Sequence, residues 1–130
     1  MNVIDSSAWL EYFANGPNAA FFAPAIEKTA DLIVPSLTLY EVFKRILQQR
    51  DEGAALHAVA AMQQGRIVDL DASLALTAAR ISTDRKLPMA DSIILATAAT
   101  LGAELWTQDA DFKGLPGVHY RKRKPQRTTG

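Results

Sequence analysis

Short apolar runs, each followed by a stretch of helical length, constrain this chain more than any other feature. Met1 to Asp5 is an apolar run that ends in an acid, and LIVP follows Asp31. RIVDL runs from Arg66 to Leu70, AELWT ends at Thr107, and VHYRK starts at Val118. Between these runs the residues punctuate as helices do. Ser6 and Ser7 are good N-caps for a helix over Ala8 to Asn15, closed by Gly16. Pro17 and Asn18 open a second helix toward Thr29, with Pro24 as an interior disturbance. Ser36 is placed to cap LTLYEVFKRILQQR, and Asp51 to cap a helix reaching Gln64. The spacing of Leu74, Leu76, Ala78, Ala79 and Ile81 predicts a helix from Ala72 to about Arg85, and Leu87-Pro88 restarts the chain into another that ends at Gly102. The alternation predicts βα units: an α/β/α sandwich around a mostly parallel sheet of four or five strands, covered on both faces.

A chain of 130 residues, 48% hydrophobic and without cysteine, can build one apolar core with no metal or disulfide staple. The uncharged run from Ser92 to Ala103 has 12 residues, short of the ~20 needed to span a bilayer. The opening MNVID lacks the basic-then-apolar pattern of a signal peptide, so a cytoplasmic protein with no membrane partner is expected. Lys+Arg and Asp+Glu balance at 14 each, but unevenly along the chain. Residues 1–120 hold 9 basic and 14 acidic side chains, whereas 121–130 hold Arg121, Lys122, Arg123, Lys124 and Arg127 and no acid. The expected division is an acidic domain over 1–120 and a loosely attached basic tail over 121–130.

Ligands of open parallel sheets gather at the carboxyl ends of the strands, and acids stand there. Asp5 ends the first run, and Asp109 and Asp111 follow the fourth. Asp91 is the one charged residue of PMADSIILATAATLG, and its i+3 and i+4 neighbours, Ile94 and Leu95, are of core type. Alone, Asp91 can be a dipole-favoured first-turn acid, Asp5 an Asx cap, Asp109 a turn residue, and Glu41 the partner of Arg45 in a surface i,i+4 pair. Gathered at one rim they cannot all stay ionised unaided: two charges about 4 Å apart repel by ~4 kcal/mol at an effective dielectric of 20. A cation resolves the conflict. Oxygen donors without His or Cys favour Mg²⁺ or Mn²⁺ over zinc. His57 and His119 stand isolated and read as structural or surface residues.

Four segments together resemble a PIN domain, and within that family the small stand-alone toxin ribonucleases of the VapC type. They are VIDSSAWLEYF, with Asp5 and Ser7 in a D-x-S/T pattern; PSLTLYEVFKRIL, with Glu41; LPMADSIILATA, with Asp91; and WTQDADF, with Asp109. The resemblance implies the PIN sandwich and makes Asp5, Glu41, Asp91 and Asp109 an acidic catalytic quartet. It assigns Mg²⁺, or Mn²⁺ in its place, mainly to Asp5 and Asp91 together with Asp109. Asp111 assists from the same terminal motif, and Ser7 and Thr107 match small hydroxyl positions that orient an acid or a water. The resemblance further implies a homodimer, a cognate antitoxin protein and an RNA substrate. The tail RKRKPQR extends past the usual end of the pattern.

Such a site hydrolyses phosphodiesters through a metal-activated water, leaving a 5′ phosphate and a 3′ hydroxyl. An acidic site repels RNA, so Lys44, Arg45, Arg50, Arg85, Lys86, Arg121, Lys122 and Arg123 are candidates for holding the strand. Trp9, Tyr12, Phe13, Phe21 and Phe22 are candidates for a partner-covered apolar surface. Three competing readings are a non-catalytic PIN-like module that binds RNA or protein, a DNA-directed nuclease, and a receiver-type phosphoacceptor. The last expects paired acids after the first strand and a lysine after a late one; here Asp5 is followed by two serines.

Overall fold

The computed structural model describes residues 1–125. Its five strands are β1 (Asn2–Ile4), β2 (Leu32–Pro35), β3 (Arg66–Val68), β4 (Glu104–Thr107) and β5 (Val118–Tyr120). They form one sheet in the order β3-β2-β1-β4-β5, every pairing parallel. Helices α1 (Ser6–Phe13) and α2 (Ala19–Glu27) connect β1 to β2, and α3 (Ser36–Gln49) and α4 (Glu52–Met62) connect β2 to β3. Helices α5 (Ala72–Arg85) and α6 (Met89–Thr100) connect β3 to β4.

Strand alternation divides the core into two layers. Ile4, Leu32 and Val34 pack with Trp9, Phe22, Val42, Ala55 and Met62 of α1 to α4. Val3, Ile33 and Leu105 pack on the opposite face with Ile94, Leu95 and Ala98 of α6 and with Phe112. The sheet is therefore an α/β/α sandwich with β1 at its centre. Because all strands run the same way, their carboxyl ends share one rim. Asp5 leaves β1 beside Thr107 of β4, with the Asp5 N–H donating to the Trp106 carbonyl at 3.1 Å.

Several boundaries differ from expectation for local reasons. Of the two capping readings the sequence offers, the Asx cap holds: Asp5 rather than Ser6 or Ser7 caps α1 by accepting from the Ala8 N–H, and helix begins at Ser6. Ser36 is the first helical residue of α3, preceded by Pro35, whose carbonyl accepts from the Thr38 hydroxyl. Pro24 does not break α2. It lies on the solvent face, as does Ala20, the residue whose carbonyl loses its helical donor, so water can satisfy that carbonyl. β3 stops at Val68 rather than Leu70, since Leu70 is exposed and Asp71 already caps α5. β5 ends at Tyr120 rather than Lys122.

The aromatic surface expected for a partner is largely core. Trp9 and Phe22 are fully buried, because α1 and α2 close directly over the sheet, whereas Tyr12, Phe13 and Phe21 are half-buried. The tail is also less detached than its composition suggests. The Arg121 N–H donates to the Thr107 carbonyl at 3.1 Å, and the Arg121 guanidinium lies 4.3 Å from the Phe21 ring centre. Arg127 falls outside the described residues. Among the described residues no helix is long and apolar enough to cross a membrane.

Candidate active site

Asp5 is held by three neutral donors. The Ser7 hydroxyl donates to both its oxygens at 2.8 and 2.9 Å, the Ala8 N–H donates to Oδ1 at 2.9 Å, and the Thr107 hydroxyl donates to Oδ2 at 2.6 Å. Only 2% of Asp5 is exposed. Burial pushes its carboxyl up from 3.8 to about 6; the donors oppose that rise, and the charge of Asp109 adds slightly to it. Thr107 is spoken for twice, since its oxygen also accepts the Asp109 N–H at 2.9 Å. One hydroxyl thus links the acid after β1 to the acid after β4.

A second group stands beside this one. Asp91 lies in the first turn of α6, preceded by Pro88. Asp109 caps the 3-10 turn Ala110–Phe112 by accepting from the Asp111 N–H at 2.9 Å. One oxygen from each of Asp91, Asp109 and Asp111 lies within 4.8 Å of the others. Burial first, then the Asp109 charge and the hydrogen bond with Asp111, push the Asp91 carboxyl up to about 7. Among the described residues no lysine or arginine pairs with these acids: the one Lys–carboxylate pair is Lys28–Asp31, and His119 meets Glu104. Three convergent carboxylate oxygens, with no His or Cys in the group and no ion-pair partner among the described residues, fit a hard divalent ion.

Glu41 stands apart from these acids. It accepts from the Ser6 hydroxyl at 2.7 Å, which turns it toward α1 at the residue next to Asp5. The surface pair with Arg45 does not form. Lys44 lies over the Tyr40 ring at 5.5 Å, while Arg45 lines a polar pocket with Ser7, Gln108 and Arg123. Arg85 and Lys86 end α5 and lead through Leu87-Pro88 into α6, so both are close in sequence to the helix start that carries Asp91.

Two site-adjacent residues carried no signal in the sequence. Asn18 is 2% and Gln108 5% exposed, and the Asn18 amide donates to the Gln108 side-chain oxygen at 3.0 Å and to the Lys122 carbonyl at 3.0 Å. Asn18 reads as a helix opener and Gln108 as a loop residue, and nothing in their spacing marks either as buried. His119 is not isolated: it stacks on Trp106 at 4.2 Å and pairs with Glu104 at 3.1 Å, at the edge of the sheet.

A five-stranded parallel sheet with acids converging at one rim defines a class, and comparison supplies its family. The PIN domain model matches residues 3–118, and the chain belongs to that family. Among solved structures, a toxin-antitoxin complex from Klebsiella pneumoniae is 25% identical, with a TM-score of 0.77 over 92% of this chain and 96% of that one. VapC20 of Mycobacterium tuberculosis, a sarcin-ricin-loop-cleaving toxin, is 17% identical with a TM-score of 0.75, covering 91% and 97% of the two chains. A DNA-bound VapBC from Salmonella typhimurium is 19% identical with a TM-score of 0.72, covering 93% and 96%. A search of curated protein sequences found no match.

Proposed function

We propose that this PIN domain is a metal-dependent endoribonuclease that acts as the toxin of a toxin-antitoxin pair. The observation that carries the proposal is the convergence of Asp91, Asp109 and Asp111 on one point, with the buried Asp5 joined to them through Thr107. Asp91, Asp109 and Asp111 would hold Mg²⁺ or Mn²⁺, with Asp5 as a fourth carboxylate beside them. Such an ion polarises a scissile phosphate and lowers the pKa of an attacking water.

The remaining work belongs to the chain. Ser7, Thr107 and the Ala8 N–H fix the orientation of Asp5, so this acid cannot swing away when the site loads. Asp91, whose carboxyl is raised to about 7, is the acid whose charged form a bound cation would favour. Glu41, anchored by Ser6 beside Asp5, would serve as a further acid able to orient a water. Lys44, Arg45, Arg85, Lys86, Arg121, Lys122 and Arg123 offset the repulsion between the acids and a phosphate backbone. Water attacking in line leaves a 5′ phosphate and a 3′ hydroxyl.

The partners follow from the same reading. The family's implied antitoxin would lie in the apolar groove of about 350 Å³ between α1, α3 and α4, lined by Leu10, Phe13, Ile46 and Ala54. A second copy would cover the exposed Leu70, Leu76 and Met89 on the α5–α6 side. Residues 1–120 serve as the nuclease domain and 121–130 as its basic extension, in the cytoplasm. The deciding experiment incubates purified protein with total RNA and maps the ends. Cleavage that EDTA stops, that Mg²⁺ or Mn²⁺ restores and that Asp91→Asn lacks supports the reading. Cleavage indifferent to chelator, or present in Asp91→Asn, overturns it.

A further inference from the structure

The polar pocket beside Asp5 differs from the acid cluster in charge and in construction. It encloses about 380 Å³, within the range that takes a small ligand group, and is lined by Ser7, Glu11, Arg45, Gln49, Gln108 and Arg123. Ser7 belongs to both places, since its hydroxyl also donates to Asp5. Two arginines line the pocket from segments far apart in sequence, Arg45 from α3 and Arg123 from the residues after β5. Glu11, its one acid, is already engaged: its carboxylate accepts the Asn18 N–H at 2.7 Å.

Arg123 is exposed, yet its backbone is anchored. The next residue back, Lys122, has its carbonyl held by the buried Asn18 amide, and the same amide grips Gln108. The side-chain oxygen of Asn18 has no partner among the described residues. A buried carbonyl left unpaired is costly, so Asn18 is explained by its two donor hydrogens rather than by its volume. Gln108 reaches back toward Ser7 through two long contacts of 3.4 Å. The chain after β5 is thus clasped to the loop that carries Asp109.

We propose that this pocket is an RNA phosphate subsite: Arg45 and Arg123 seat the backbone phosphate next to the one that is cut, and Asn18 is the positioning residue that sets Arg123. The proposal rests on the nuclease reading and deepens it. A planar guanidinium matches two oxygens of a phosphate, two arginines line this pocket, and the neutral Gln49 amide adds a donor without charge. Through Ser7 the subsite adjoins Asp5, so a strand seated there is brought to the acids in a fixed register.

The test compares wild type with Arg45→Ala, Arg123→Ala and Asn18→Leu. Binding of a fluorescein-labelled single-stranded RNA is followed in EDTA across a range of KCl, and cleavage kinetics are followed in Mg²⁺. Each Arg variant is expected to lower the slope of log affinity against log salt by up to about 0.7, the value for one phosphate contact on a single strand, since the two arginines share one phosphate. KM should rise about tenfold, with kcat within about twofold, as loss of a binding contact requires. Asn18→Leu, checked for native melting, should reproduce the Arg123→Ala effect, and the double variant should be no worse than either single. Should Asn18→Leu fail to fold, the two Arg variants decide. An unchanged slope, a fall in kcat without a rise in KM, or full additivity in the double variant overturns the proposal. Because binding is read without metal, a wild type that binds RNA and never cuts it removes the nuclease reading and leaves the subsite standing on its own slope.

Discussion

The acid at the end of β1 and the acid at the start of α6 are both raised in pKa by burial, yet their surroundings are opposites. Asp5 is enclosed by three neutral donors that favour its charge, whereas Asp91 is enclosed by carboxylates that oppose it. One acid is already provided for by the fold. The other stays partly protonated near neutrality until something positive arrives. A site needs both kinds: a fixed reference that holds geometry before loading, and a strained group whose relief contributes affinity.

Substitution at the two positions should give the largest effects and should separate them. Removing either charge is expected to lower RNA cleavage by at least about 100-fold, the scale on which catalytic acids and their supports contribute. Stability should part company. Asp5→Ala leaves the Ser7 and Thr107 hydroxyls and the Ala8 N–H without their acceptor, a loss of about 1–3 kcal/mol. Asp91→Asn removes a repelled charge and should raise the melting temperature in EDTA. If both variants melt in the same direction, the contrast between the two acids is wrong. Thr107→Val comes next, since it removes the one hydroxyl that joins Asp5 to the Asp109 N–H. A loss of about 10-fold to 100-fold in cleavage or metal affinity is expected, the usual cost of removing an outer support. Titration with Mn²⁺ measures the affinity independently of turnover.

The dependence of stability on pH sharpens the same comparison. Both acids bind protons more tightly folded than unfolded, where 3.8 is the ordinary value, so ionising them works against folding. The penalty is absent below about 3.8 and complete above about 7. From these two groups, metal-free protein should lose thermal stability as pH rises from about 5 to about 7.5. Mg²⁺ should stabilise it more at pH 7.5 than at pH 5, and Asp91→Asn should flatten the metal-free profile. A profile that rises over this window in EDTA contradicts the assigned environments.

How much of this could be read from the sequence depends on whether a residue's role is local. The strands were legible because each is an apolar run bounded by turn residues, and an acid such as Asp5 directly after such a run must lie at the rim. Asp91 was legible because a lone charge among core-type neighbours needs an explanation. Trp9 and Phe22 were misplaced because periodicity shows that a face is apolar, not whether the protein itself covers it. Glu41 turned to Ser6 rather than Arg45, a choice made by the approach of α1 to α3 and invisible within α3. Asn18, Gln108 and Lys122 meet only when the first helical connection and the last strand close on each other, so no spacing could have announced them.

The smallest expected effect lies at the entrance to α6. Lys86 is a non-glycine residue with φ of 56°, the left-handed conformation that closes α5 before the chain turns through Leu87-Pro88 toward Asp91. A side chain there costs about 1–2 kcal/mol relative to the right-handed region, and glycine is free of most of it. Lys86→Gly should therefore raise the melting temperature while removing one positive charge from the approach to the strained acid. If Lys86 meets the RNA backbone, the salt slope of RNA binding should fall by about 0.7 as stability rises. A gain in both stability and RNA affinity would show that Lys86 serves neither the fold nor the substrate, and would leave Asp91 to rely on the Arg45 and Arg123 side of the rim for its phosphate.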